Sequence, residues 1–280
     1  MDPAPDWTGY WQEAATDGCT CALPPAARAL LAEGWRALLA GWPRDARLLD
    51  VACGRGAVLA LARDAGFTLL AGVDLAVVPP GDLPITGGID ATALPFPDHS
   101  HDLVVSQFGI EYAGLLPAAR EAARVARRGL ILLLHAAEGV LVADAAEQAG
   151  QARWLADELG LFAALDAHFA APTQDSAAAI DGLLAAIVKR AEAAGNTSLL
   201  EAVWRGAQDA QSLPDPRAAT AALAAGVAAH GARLAALVAA APDADATAEL
   251  AAELAALGFA TTITDAGPPL IGRWLLATRT

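Results

Sequence analysis

Cysteine is scarce. The 280 residues hold three, Cys19, Cys21 and Cys53. Three cannot all pair, and their spacing fits no zinc site. Cys19-x-Cys21 reads either as two ordinary thiols of a reducing compartment or as a soft-metal or redox pair. Positive charge is also short: 18 Lys and Arg face 32 Asp and Glu, a formal net charge of −14. Such a chain is repelled by phosphate backbones and anionic bilayers, so neither nucleic acid nor membrane is an expected partner. The densest basic group, Arg124, Arg127 and Arg128, reads as the exposed end of a helix. Met1–Asp6 is acidic and carries no apolar leader, which makes the cytoplasm the expected location. Residues 218–241 are long and apolar but Ala-rich, and His230, Gly231 and Arg233 interrupt them; they read as a soluble helix. No metal site is expected. His99-x-His101 sits in a polar turn, and His168 and His230 lack acidic or thiol partners at ligand spacing.

Hydrophobic residues make up 55% of the chain. Much of that is alanine, which favours helix and buries little area. Residues 24–41 carry Leu30, Leu31, Trp35, Leu38 and Leu39 at three- and four-residue steps, a helix closed by Gly41 and Pro43. Arg47–Val51 then reads as strand, Val58–Ala65 as helix and Thr68–Val73 as strand, one parallel crossover unit. Strands are predicted at Gly88-Ile89, Leu103–Ser106 and Leu130–Leu134, with a helix at Pro117–Arg127 between the last two. From about Glu138 to Ala241 only helical texture remains, with helices predicted at Trp154–Leu161, Ile180–Ala193, Ser198–Ala210 and Ala218–Ala240. A helix at Ala246–Leu257 and strands at Phe259–Thr264 and Trp274–Thr278 close the chain. Alternating strands and helices argue a doubly wound sheet, and the helical block reads as an insertion in it.

The chemistry is concentrated after Asp50. Ala52, Gly54 and Gly56 place small residues at alternate positions between a strand and a helix, where a ligand can approach the backbone and meet free N–H groups. Asp74 ends the next strand, where a carboxylate can take both hydroxyls of a ribose. The turn Ala52-Cys53-Gly54-Arg55-Gly56 lacks dinucleotide spacing. Gly88-Ile89-Asp90-Ala91 lies upstream of His101-Asp102-Leu103-Val104-Val105-Ser106. Together these motifs resemble the class I S-adenosylmethionine (SAM)-dependent methyltransferases over residues 46–138, and more loosely over 246–280.

The resemblance implies an α/β fold: a doubly wound, mostly parallel seven-stranded Rossmann-like sheet with a large all-helical insertion. It implies an N-terminal helical lid at 1–45, a SAM-binding domain at 46–138 and 246–280, and an acceptor cap at 139–245. The cofactor would be SAM and its product S-adenosylhomocysteine. Asp50, Ala52, Cys53, Gly54 and Gly56 would hold the methionine part, Asp74 the ribose and Leu75 the adenine face. Asp90 and the Ala91 N–H would meet the adenine edge. Ser106 and Gln107 would face the sulfonium and the acceptor. Two departures stand out: Ala52 replaces a glycine, and the Pro-rich 77–84 stretch replaces a helix, so a loop is expected to cover the adenine side.

Methyl transfer is an in-line displacement that depends on alignment and desolvation, and a base is needed only for a protonated acceptor. His135 is the candidate base, with Glu111 and Tyr10 as further candidate catalytic groups; Trp11, Phe108 and Tyr112 are candidate acceptor contacts. Trp154, Phe162, Phe169 and Trp204 read as packing of the helical block, with an acceptor pocket as the other reading. The expected activity is methyl transfer to an oxygen or nitrogen of a small molecule by a monomer or homodimer. A protein methyltransferase and a non-catalytic SAM-binding protein are the alternatives.

Overall fold

Strands and helices are interspersed between Arg47 and His135, and six helices precede the last two strands, in the computed structural model, which describes residues 6–13 and 23–280. Cys19 and Cys21, and with them the choice between thiol pair and metal pair, lie outside the described residues. The strands are β1 (Arg47–Val51), β2 (Leu69–Val73), β3 (Ile85–Thr86), β4 (His101–Gln107), β5 (Ala126–His135), β6 (Phe259–Ala266) and β7 (Gly272–Arg279). They form one seven-stranded sheet in the order β3-β2-β1-β4-β5-β7-β6. Pairings among β1 to β5 are parallel, and β7 runs antiparallel to both β5 and β6. The strand order reverses between β1 and β4, so the crevice at their carboxyl ends is the ligand-binding position of an open α/β sheet.

The helices are α1 (Trp7–Glu13), α2 (Pro25–Ala40), α3 (Ala57–Asp64), α4 (Leu115–Val125), α5 (Val140–Arg153), α6 (Leu161–Ala170), α7 (Gln174–Ala191), α8 (Ser198–Ala210), α9 (Pro216–Ala240) and α10 (Ala244–Ala256). Two compact units result: Asp6–Val142 with Ala239–Thr280, and Ala143–Val238.

In the sheet unit, successive strand residues serve opposite faces, as the period of two requires. Leu49, Val104, Leu130 and Leu132 pack with Ala118 and Ala122 of α4 and Leu250 and Leu254 of α10. Leu48, Leu103, Val105, Ile131 and Leu133 pack with Trp35 and Leu39 of α2 and Val58 and Leu59 of α3. Alanines on α4 let that helix lie close to the sheet. Each fully buried leucine contributes roughly 1.5–3 kcal/mol. Trp35 fills the second face; its ring meets Trp274 edge-on at 5.0 Å.

The helical unit has its own core, built from Leu155, Leu161, Leu165, Ile180, Leu184, Leu200 and Val203. Trp154, Phe162, Phe169 and Trp204 pack against it. Thr173 and Ser176 form a capping box that starts α7. Glu147 ties α5 to the loop before α8 by accepting from the Gly195 and Asn196 amides.

Several expected elements move. The short strand predicted at Gly88-Ile89 forms instead at Ile85–Thr86, directly after Pro84, and pairs with the end of β2. The helix predicted over 154–161 falls on a π-helical turn, Trp154–Glu158, and on left-handed Gly160. The regular helices α5 and α6 flank that irregularity. Helix α9 is long and apolar enough to cross a membrane by length and composition, with a mean hydropathy of 1.5 and 6% of its apolar window buried. Its alanines surround it on all sides, so it lacks the apolar stripe of an ordinary surface helix.

Candidate active site

The turn between β1 and α3 departs sharply from regular backbone. Ala52, Gly54 and Gly56 all have positive φ, at 54°, 50° and 80°. Glycine adopts this region freely; alanine there is strained by about 1–2 kcal/mol. The missing side chains also leave room. A Cβ on Gly56 would lie 2.8 Å from Leu83 Cδ1, and one on Gly54 would collide with the Trp11 ring. The Cys53 amide donates to the Val73 carbonyl at 3.1 Å, which pins the turn to β2.

Asp74 follows β2 and closes the turn. Its Oδ2 accepts from the Gly54 amide at 2.7 Å and its Oδ1 from the Ala76 amide at 2.8 Å. Each oxygen retains a second lone pair. Burial raises the Asp74 pKa above the usual carboxylate range, and those two amides counteract part of the rise. Asp50, beneath the turn, is buried with neither carboxylate oxygen hydrogen-bonded. Burial pushes its pKa well up, and the Asp74 charge adds to the shift. Cys53 is pushed up by burial first and by Asp50 and Asp74 second, so it stays a thiol rather than a reactive thiolate.

A cleft of about 650 Å³ opens beside this turn, lined by Trp7, Trp11, Ala52, Asp74, Leu75, Ile89, Asp90, Ala91, Phe108, Gly109, Tyr112 and Ala113. Among the described residues, two carboxylates and four aromatic rings line it, and no Lys, Arg or His does. Asp90 is exposed and its Oδ1 accepts from both the Thr92 amide and hydroxyl, at 2.8 Å each. Those contacts hold its pKa below the usual range. The chain from Leu75 to Pro84 contains no helix, as the proline-rich stretch suggests. Helix α1 lies along this loop: the Thr8 hydroxyl accepts from the Val77 amide at 3.2 Å, and Gln12 donates to the Val77 carbonyl at 3.3 Å.

Not every expected site residue reaches the cleft. Tyr10 stacks edge-on with Trp7 and Trp11, at 6.0 and 4.9 Å between ring centroids, and is not a lining residue. Ser106 and Gln107 do not face it either, contrary to their expected place beside the sulfonium. Ser106 Oγ accepts from the Ile110 amide at 3.2 Å, and Gln107 Oε1 accepts from the Trp35 indole at 2.5 Å. Both are committed to holding β4 and the segment after it. His135 and Glu111 are paired under the cleft wall: Nδ1 lies 2.7 Å from Glu111 Oε1, and both side chains are 0% exposed. An imidazole in that position does not meet an acceptor. Trp7, Ile89, Gly109 and Ala113 line the cleft without having been singled out as site residues. The four-residue spacing of Trp7 and Trp11, which puts both on one helix face, is the signal for the first.

The remaining candidates are structural. Among the described residues no group of three or more His, Cys, Asp or Glu is placed to hold a metal. His99 Nδ1 lies 3.2 Å from the Ala126 carbonyl, and His168 Nδ1 lies 2.6 Å from Ser176 Oγ. The basic group is absorbed as well. Arg124 donates to Glu121, Asp98 and the carbonyls of Leu94 and Phe96, Arg127 pairs with Asp102, and Arg128 lies over the Trp42 ring at 5.5 Å.

Residues 49–134 match the family model described as a methyltransferase domain. That span contains the turn, Asp74, Asp90 and most of the cleft. No curated protein matches. Among solved structures, the chain is similar to the YcgJ protein from Bacillus subtilis, at 24% identity and a TM-score of 0.34, over 46% of this chain and 58% of that one. It is similar to a SAM-dependent methyltransferase from Mesorhizobium loti at 22% identity and a TM-score of 0.32, over 38% and 54%. A SAM-dependent methyltransferase from Aquifex aeolicus aligns over 96% of this chain and 100% of its own, at 10% identity and a TM-score of 0.44. The chain thus spans little more than half the length of the first two structures it matches. The family match falls on the turn, on Asp74 and Asp90 and on most of the parallel strands around them, so residues 49–134 of the chain resemble a methyltransferase domain.

Proposed function

We propose that the protein transfers the methyl group of SAM to an oxygen or nitrogen of a small acceptor that is planar and carries no negative charge. The observation that carries this reading is the cleft itself, beside the family-matched turn, walled among the described residues by Asp74, Asp90 and four aromatic rings and by no cation. Anionic acceptors find no partner there, while aromatic faces favour planar and cationic groups.

The residues fit the cofactor that the superfamily uses. Ala52, Gly54 and Gly56 supply a turn of small residues with the Trp11 ring lying against Gly54, where a ligand can come close to the backbone. The free lone pairs of Asp74 suit two ribose hydroxyls, Leu75 offers an apolar face to an adenine, and Asp90 and the Ala91 amide stand at its edge. Asp50, buried with two unsatisfied oxygens, suits a cationic amine brought close to the turn. SAM supplies a methyl group already activated on a sulfonium. The protein's task is then to align the acceptor and keep water away, which Trp7, Trp11, Phe108 and Tyr112 serve. The helical unit lies outside the family-matched span and is the part of the sequence in which we place acceptor choice.

The test is transfer of label from methyl-labelled SAM to matched acceptor pairs: neutral phenols, indoles and aromatic amines against the same rings bearing carboxylates. Transfer confined to the uncharged or cationic members is expected. Transfer to the carboxylates, or only to intact proteins, contradicts the acceptor class.

A further inference from the structure

Four of the cleft's lining residues, Phe108, Gly109, Tyr112 and Ala113, come from the short segment that follows β4. Its geometry is demanding. Phe108 has φ 51°, a region bulky side chains seldom enter. Gly109 lies so near the cofactor turn that a Cβ there would stand 2.6 Å from the Ala52 carbonyl oxygen. The Phe108 ring is held on two sides. A Cβ on Gly272 would be 2.8 Å from its Cε1, and the His135 imidazole stacks on it at 4.4 Å with a 30° tilt. Tyr112 meets the same imidazole edge-on at 5.9 Å.

Glu111 fastens this segment to the sheet. It lies in a 3₁₀ turn, Ile110–Ala113, and one carboxylate oxygen, Oε1, receives the His135 backbone amide at 3.0 Å and faces His135 Nδ1 at 2.7 Å. In the Nδ1–H tautomer, Oε1 accepts from both N–H groups of His135. Glu111 Oε2 and His135 Nε2 are buried without a hydrogen-bond partner. A buried acid–imidazole contact with half its polar atoms unsatisfied is poor stabilising design on its own. Its geometry suits a different purpose, because the one contact joins the end of β5 to the turn that presents the cleft wall.

We propose that Glu111 and His135 are a positioning pair. They lock the Ile110–Ala113 turn to the end of β5 and thereby hold Phe108, Gly109 and Tyr112 against the Ala52 turn. The pair touches no ligand itself. It acts on cofactor affinity through the wall it fixes, and this inference rests on reading the cleft as the SAM site.

The test compares wild type, Glu111→Leu, Glu111→Gln and His135→Phe by calorimetric titration with S-adenosylhomocysteine, at a temperature well below each variant's unfolding midpoint. Glu111→Leu is expected to bind at least about tenfold more weakly, about 1.4 kcal/mol. Glu111→Gln keeps an oxygen that can accept both N–H groups and is expected to return to within about threefold of wild type. A purely structural role predicts lower midpoints for Glu111→Leu and His135→Phe and equal affinity in whatever remains folded. Should Glu111→Leu fail to fold, His135→Phe carries the test, since it keeps a ring under Phe108 and loses the Nδ1 donor; weakened binding is again expected. Binding within threefold of wild type by whichever of Glu111→Leu and His135→Phe is folded overturns the pairing. Wild type that does not bind overturns the SAM reading instead, and the positioning role falls with it.

Discussion

Asp50→Asn should make the ligand-free protein more stable and the cofactor complex weaker. Asp50 is buried on β1 with neither oxygen hydrogen-bonded, and burial followed by the Asp74 charge raises its pKa well above the usual value. A carboxyl with a raised folded pKa retains a proton that the unfolded chain has already released. Stability therefore falls as pH rises, starting near the unfolded value of about 4 and continuing until Asp50 ionises in the folded state, by at most about 1.4 kcal/mol per pH unit. Asparagine has the same shape and never ionises. Leaving a buried charged group without partners costs on the order of 1–3 kcal/mol or more, so a gain of about 2 kcal/mol is expected for Asp50→Asn at pH 8. For a unit of this size that is an upward shift of about 4–8 °C in the unfolding midpoint. Thermal unfolding from pH 4 to 8 reads it directly. The difference between the two proteins should be small near pH 4 and widen toward pH 8. A variant that is less stable at pH 8, or an advantage independent of pH, refutes the reasoning that an unpaired carboxylate lies beneath the turn.

Three further outcomes are expected. Asp74→Ala removes the acceptor of the Gly54 and Ala76 amides and should weaken S-adenosylhomocysteine binding by about 10- to 100-fold in calorimetry, about 1.4–2.8 kcal/mol; unchanged affinity in a folded variant contradicts the ribose assignment. Arg124→Ala frees the Leu94 and Phe96 carbonyls and the Asp98 carboxylate and should destabilise the sheet unit by about 1–3 kcal/mol, seen in denaturant midpoints. Cys53, whose thiol is held protonated by burial and neighbouring carboxylates, should react with iodoacetamide far more slowly than a free thiol at pH 8, and mass spectrometry of the intact and peptide-digested protein reads the rate. Fast alkylation at Cys53 contradicts its assigned environment.

The sheet was legible because its signals are local. Small residues at 52, 54 and 56 mark the turn, apolar runs mark β1 and β5, and alternation with helices dictates parallel winding. Helix α8 matches its predicted span, Ser198–Ala210, residue for residue, because amphipathic spacing and flanking breakers agree there. Helices α5 and α6 were not legible, since alanine on every face erases periodicity and the π-helical turn has no distinct sequence mark. Side-chain direction in buried strands was equally hidden. Leu103–Ser106 is apolar or buried on both faces, so nothing in the pattern reveals that Ser106 serves the Ile110 amide or that Gln107 turns to Trp35. The Glu111–His135 contact joins residues 24 positions apart, and only the parallel pairing of β4 with β5 brings them together. Individual residues suggested a base; their pairing places both beneath the wall.

Calorimetric titration of the purified protein with SAM and with S-adenosylhomocysteine measures most directly whether the cleft beside Asp74 takes SAM. One-to-one binding is expected, in the range of roughly 1 μM to 1 mM typical of enzyme ligands, with the affinity lost in Asp74→Ala. No heat of binding at millimolar ligand, or binding that survives Asp74→Ala undiminished, contradicts it.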